Sequence, residues 1–308
     1  MSEFVNVARD HFDSLPTWGK IAIGVVAVGG SAHLLVQIAK YTIFKQRRPY
    51  KTDYKPGVVY LYQFPRAAVI PNLSPFALKL ETWLRMANVD YENVDIPMWF
   101  RSKEGTLPFV ELNGIEYDDS SFIIRDLTKI FKKDSIEAWL SAEQKAISRA
   151  YEQMVENSAL ISYAFIRYTE QMPELMQEKY LGMKIPFFMR LIFSSRIMKE
   201  RVMQRLRAHG IGRHPREEII GIGLDDLRSV STYLGTKQYF HGDNPTRVDA
   251  FLFGSLANII YVPLESPHQK LLKTECKNII KYCDRIKAKY WPDWDEICKT
   301  KALNTRRR

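Results

Sequence analysis

The sequence predicts an α/β domain followed by an all-α domain, both preceded by a single transmembrane helix. Three observations predict it. Residues 21–39 carry no formal charge and are bracketed by Lys20 and Lys40. Residues 57–133 alternate as strand, helix, strand and then hairpin, helix. From Ser135 onward the apolar spacing is helical, and no run reads convincingly as a strand. The expected organisation is a short non-cytosolic N-terminus at 1–20, an anchor at 21–40, a basic linker at 41–56, an α/β domain at 57–133, a helical domain at 134–295 and a basic tail at 296–308. The tail is expected to fray after Trp291-Pro292.

At ~1.5 Å per residue, Ile21–Ala39 is just long enough to cross a bilayer core. Trp18 and Tyr41 fall at the expected interfaces. Acids precede the apolar run, which disfavours a cleaved signal peptide. Gly29-Gly30 and the lack of a polar face disfavour a soluble helix. Arg9 and Lys20 stand before the span; Lys40, Lys45, Arg47, Arg48, Lys51 and Lys55 follow it. The positive-inside rule therefore places the N-terminus in a lumen or intermembrane space and the folded part in the cytosol. The organelle stays open between endomembranes or lysosome and the mitochondrial outer membrane. The linker is expected to lie on anionic headgroups, gaining about 1 kcal/mol per basic residue.

The net charge is +10, from 45 Lys+Arg against 35 Asp+Glu. No finger, RNA-recognition or helix-turn-helix signature accompanies it, so nucleic acid is not an expected partner. Cys276, Cys283 and Cys298 fit neither a disulfide framework nor a zinc template, and read as helical core residues.

In the α/β domain, residues 58–64 form an apolar run suited to a central strand. Ser74 is a good N-cap, and Pro75 suits the first helical position. Phe76, Leu80, Trp83, Leu84 and Ala87 then share one helical face. The Ser74 hydroxyl is thus expected where the positive helix end would stabilise a thiolate or another anion. A second strand follows at 91–96, then a strand–turn–strand around Asn113-Gly114, the strongest hairpin signal in the chain. Asp119-Ser120-Ser121 caps a helix reaching about Phe131.

The strand–loop–Ser74-Pro-Phe-x-x-Lys79–helix pattern resembles the start of a thioredoxin-like, glutathione-transferase-type domain. Gln63-Phe-Pro-Arg66 with Asn72-Leu-Ser-Pro-Phe-Ala-Leu-Lys-Leu-Glu81 is similar to the failed-axon-connections family, which includes cadmium-responsive proteins and is related to metaxins. The resemblance implies glutathione as substrate or ligand. It places Ser74 as the candidate catalytic, thiol-activating residue. Leu107 and Pro108, at the place of the fold's cis-proline, would pair with the cysteinyl part, and Asp119 and Ser120 would hold the γ-glutamyl end. Three departures weigh against a full site. The loop 65–73 is long, Ser74 and Ala77 stand where redox relatives have cysteines, and 97–105 is too short for a full second helix. Arg101 or Lys103 could substitute at the glycine end.

In the helical domain, Leu140 to about Thr169 reads as one long amphipathic segment interrupted by Pro173. Ile185–Phe193 is apolar but too short to span a bilayer. Residues 196–216 are densely basic, and Gly210-Ile-Gly-Arg-His214 again resembles the failed-axon-connections family. Arg207, Arg213 and His214 are a candidate anion or partner surface; a solvated helix corner explains the same charges. A triad, paired carboxylates or a metal cluster cannot be assembled from the spacing, so no metal site is expected. Thr246 and Asp249 have capping-box spacing, inside a string resembling the Gly-Asp-x-Pro-Thr-x-x-Asp folding motif of glutathione-transferase helical domains.

Two function classes follow. One is a membrane-anchored, non-catalytic adaptor or stress-response protein of the cadmium and detoxification type, with a protein partner or a second copy of itself. The other is an active transferase joining glutathione to electrophiles. The departures tilt the sequence toward the first.

Overall fold

A computed structural model describes residues 49–96, 100–187, 190 and 196–303. The expected transmembrane span and most of the apolar segment 185–193 lie outside the described residues. Among the described residues, no helix is long and apolar enough to cross a membrane. The described residues from Asp53 onward form one compact unit.

The first domain is a four-stranded sheet in the order β2-β1-β3-β4. Strand β1 (Val59–Tyr62) is central and buried at every position, as its apolar run predicts. It pairs in parallel with β2 (Tyr91–Val94) and antiparallel with β3 (Phe109–Leu112). Strands β3 and β4 (Ile115–Tyr117) form the expected hairpin. Asn113 and Gly114 both take positive φ, at 53° and 78°, the conformation a two-residue turn of this hand requires.

Helix α1 (Pro75–Met86) connects β1 to β2, capped by Ser74 with proline in its first turn. The expected apolar face is corrected in one respect. Every residue from Ala77 to Arg85 is buried, whereas Phe76 is 39% exposed. Two layers cover α1, the sheet on one side and the helical domain on the other, so one apolar stripe does not describe it. Helix α2 (Ser120–Ile130) follows the hairpin, with Asp119 as N-cap.

The second domain is helical. Helix α3 (Ala142–Met154) runs through a π-helical turn at Val155–Ala159 into α4 (Leu160–Thr169). Two single-turn helices follow, α5 (Met172–Leu175) and α6 (Glu178–Leu181). Then come α7 (Arg196–His209), α8 (Arg216–Leu234), α9 (Arg247–Tyr261), α10 (Pro267–Thr274), α11 (Lys277–Tyr290) and α12 (Trp294–Thr300). The last corrects the expectation of a frayed tail: Trp294, Ile297 and Cys298 are buried in the main core. The other two cysteines are also free and buried.

Helix α9 crosses α1 at the domain junction. A Cβ on Gly254 would lie 2.6 Å from the Pro75 carbonyl oxygen and 2.7 Å from Lys79, so only glycine permits this approach. Thr246 and Asp249 form the expected capping box at the start of α9. Asp249 also accepts from the Phe240 amide and the Tyr282 hydroxyl, at 2.8 Å each, which makes it a junction of three helical-domain segments.

Candidate functional site

The loop between β1 and α1 carries both a polar core and a cavity wall. Glu81, on α1, is fully buried. Arg66 reaches it with two bonds, Nη1 to Oε2 at 2.7 Å and Nη2 to Oε1 at 2.8 Å. Gln63 and the Tyr91 hydroxyl donate to it at 2.8 and 2.9 Å. Arg85 adds a 3.3 Å contact and ties the group to Asp293 at 2.6 Å. Burial alone would push the Glu81 carboxyl up. The Arg66 and Arg85 guanidiniums outweigh it and hold it well below the ordinary carboxylate range. Asn72 donates to Gln63 at 3.3 Å, and its Oδ1 accepts from the Ser74 amide at 2.8 Å. Thus Gln63, Arg66, Asn72 and Glu81, the residues of the sequence string quoted above, form one buried network that sets the entry angle of α1. Sequence reading left their role unassigned. The available signal was two charges and two amides spaced around a strand–loop–helix whose other positions are apolar.

Ser74 sits at the edge of a cavity of ≈ 440 Å³ between the two domains. Its hydroxyl accepts the Ala77 amide at 3.4 Å, an N-cap bond. Leu107 lines the same cavity, and the Leu107-Pro108 peptide is cis. Phe76, Tyr168, Met172 and Met176 supply an apolar wall.

Asp119 and Ser120 do not line this cavity. Asp119 Oδ1 accepts the Ser121 and Phe122 amides at 2.8 and 3.2 Å, capping α2. It does so at φ 61° and ψ 119°, a conformation that side chains rarely adopt. Between the two capped helix starts lies Lys79, 1% exposed. Its Nζ touches Ser121 Oγ at 3.1 Å and Glu156 Oε1, on the π-helical turn, at 2.5 Å. Burial pushes the Lys79 ammonium down, against the pull of Glu156. This interdomain pair was also not foreseen; it depends on a helical irregularity that periodicity does not reveal.

The remaining candidates lie elsewhere. Arg101 donates to the Phe100 carbonyl, and the Lys103 amide to Glu116. Neither residue lines the cavity. In the 196–216 region Arg207 pairs with Glu200 at 2.9 Å, Arg213 donates to the Arg207 carbonyl, and His214 Nδ1 lies 3.0 Å from Glu218. These three side chains make local surface contacts and do not converge on one point. No cluster able to hold a metal is found among the described residues.

Comparison with known proteins agrees with this architecture. Residues 75–172 match a glutathione S-transferase N-terminal domain profile, and residues 223–286 a glutathione S-transferase C-terminal domain profile. Failed axon connections of Drosophila melanogaster is 39% identical over 267 residues, covering 83% of this chain and 63% of the relative. The chain belongs to the glutathione-transferase-like, metaxin-related family. It spans under two thirds of the length of that fruit-fly relative. Other members are more distant: mouse metaxin-2 is 24% identical over 79% of this chain and 92% of its own. A Rhodococcus isoprene-epoxide glutathione S-transferase is also 24% identical, over 76% of this chain and 99% of its own. The Sphingobium β-etherase LigF shares the fold, with a TM-score of 0.53 at 17% identity over 79% of this chain and 99% of its own. A Ceriporiopsis subvermispora glutathione S-transferase shares it equally, at 0.53 and 14% over 75% and 97%.

Proposed function

We propose that this chain is a membrane-anchored adaptor built on a glutathione-transferase fold, serving a stress or detoxification response without turnover of its own. One observation carries the reading. The residues that would hold the γ-glutamyl end of glutathione, Asp119 and Ser120, are not on the cavity wall with Ser74 and Leu107. The buried Lys79–Glu156 pair lies between the two helix starts and already answers the charge there. Kinship with failed axon connections and the metaxins supports the same reading. The uncharged run 21–39 supplies the anchor, with the folded part toward the cytosol. The basic helix α7 and the Arg213–His214 corner offer a surface to a protein partner or a second copy.

A second reading, an active transferase, is favoured by one feature. The backbone of Asp119 is held in a conformation that costs roughly 1–3 kcal/mol, and such strain gathers at ligand sites. Full-length protein in detergent should neither be retained on immobilised glutathione nor conjugate a general electrophile. Turnover that falls ten- to a hundredfold in Ser74→Ala, the loss expected for a charge-assisted bond to a thiolate, would install the second reading instead. For the anchor, the full-length protein should stay in the membrane pellet after alkaline carbonate washing, with its folded part open to protease from the cytosol. Release by carbonate would remove the anchor, and protection in intact organelles would reverse the topology.

A further inference from the structure

Between Lys184 and Arg213 the chain carries eight basic residues and one acid, Glu200, so this stretch supplies +7 of the net +10. Helix α7 bears most of them. Its inner side is fixed by packing. Leu206 is buried among Phe165 and Ile166 of α4 and Ile219 and Ile220 of α8, with Val202 and Met203 half-buried against them. Helical spacing then puts Arg201, Gln204, Arg205 and Ala208 on the opposite side, and all four are exposed.

The arginines of α7 divide. Arg207, on the flank, pairs with Glu200 at 2.9 Å. The Arg201 and Arg205 side chains make no ion pair or hydrogen bond with any described residue. Phe187, a few residues ahead of α7, is 73% exposed, the most of any large hydrophobic side chain among the described residues. An exposed aromatic ring beside clustered arginines suits a membrane–water interface, where the ring sits at headgroup level and the charges meet lipid phosphates.

We propose that the outer face of α7, with Phe187, rests on the anionic leaflet of the membrane that the 21–39 run enters. The cytosolic leaflet is the anionic one, and each basic residue near it raises association roughly fivefold. The inference rests on the anchor and topology proposed above. A domain tethered through 41–56 meets the leaflet at high effective concentration, so a small patch suffices to orient it. Arg207 and Arg213 are bonded within the chain and stay with the partner surface.

The test uses the full-length protein in phosphatidylcholine nanodiscs with or without phosphatidylserine, each containing a nitroxide-headgroup lipid as quencher. Cys276, Cys283 and Cys298 are buried, so a maleimide dye goes to the single cysteine of Ala208→Cys. Quenching of that dye should be at least about threefold greater with phosphatidylserine, and 1 M NaCl, which shortens the screening length to about 3 Å, should erase the difference. Arg201→Glu with Arg205→Glu should erase it too, at an unchanged melting midpoint. A dye at Lys281→Cys, on the exposed side of α11, should respond to neither lipid nor salt. Protein that enters neither disc would overturn the anchor and this inference with it. Protein that enters both discs but is quenched at Ala208→Cys equally in the two, or in neither, would overturn this inference alone and leave the face to a protein partner. Quenching that survives the double variant would overturn it as well.

Discussion

Two buried arginines on either side of the Ser74 turn show opposite solutions to the same problem. Arg66 spends its guanidinium on Glu81, inside a network that also takes in Gln63, Asn72, Arg85 and Tyr91. Arg167 holds the residue before Ser74 with one nitrogen and keeps another buried without a hydrogen-bond partner. The closed network is architecture: it fixes where α1 begins and therefore where Ser74 points. Arg167 is instead tied to two neutral acceptors, the Leu73 carbonyl and Asn258. Gln63, Arg66, Asn72 and Glu81 thus belong to the closed side.

Breaking the closed side should have the largest effect. Glu81→Ala strands the buried Arg66 guanidinium, leaves Arg85 with Asp293 alone, and should cost about 3–5 kcal/mol, read from the denaturant midpoint. A loss under about 1 kcal/mol would mean that water or rearrangement satisfies Arg66 and Arg85, and the contrast with Arg167 would collapse. Asp249→Ala should cost about 3 kcal/mol by the same measurement. It loses the cap bond to Thr246 and also the bonds from Phe240 and Tyr282. A cost near 1 kcal/mol would reduce Asp249 to an ordinary cap.

The sequence made much of this legible, for physical reasons. Ser74, Asp119 and Thr246 were readable as caps because capping is local: each needs only its own helix start. The Asn113-Gly114 hairpin was readable because positive φ at both positions demands such residues. What stayed hidden depends on distant segments meeting. Glu81 gains its meaning from Arg66 on the loop and from Asp293 near the end of the chain, through Arg85. Arg167 sits one helical turn after Tyr163 on the buried side of α4, and a charge on an apolar face was its only trace. Helix α12 is hidden in the sequence because its basic composition reads as a free end, while Trp294 and Ile297 carry the packing.

Smaller effects sharpen the comparison at the domain junction. Burial pushes the Glu152 carboxyl up to about 7, against a 3.4 Å approach of Arg247 Nε that lacks hydrogen-bond geometry. Glu137, Glu156 and Lys79 complete its charged surroundings. Its folded-state value lies above its unfolded one, so the unfolded chain releases this proton first. The stability it contributes is full below about pH 4.5 and is lost as the pH rises through about 7. The fall between about pH 5 and pH 7 should be about 2 kcal/mol, and Glu152→Gln should flatten it. An unchanged slope in that variant would place the titration elsewhere. Ser74→Ala should cost about 1 kcal/mol, the value of a cap.

Ser74, Lys79 and Asp119 at the two helix starts are each bonded within the chain, and the deciding measurement is the melting midpoint of the full-length protein as a function of glutathione concentration. A ligand bound only by the folded state adds stability, about 2.7 kcal/mol at a hundred times its Kd. The midpoint should stay flat at every glutathione concentration. A midpoint that climbs with glutathione in wild type and stays flat in Asp119→Ala would contradict it.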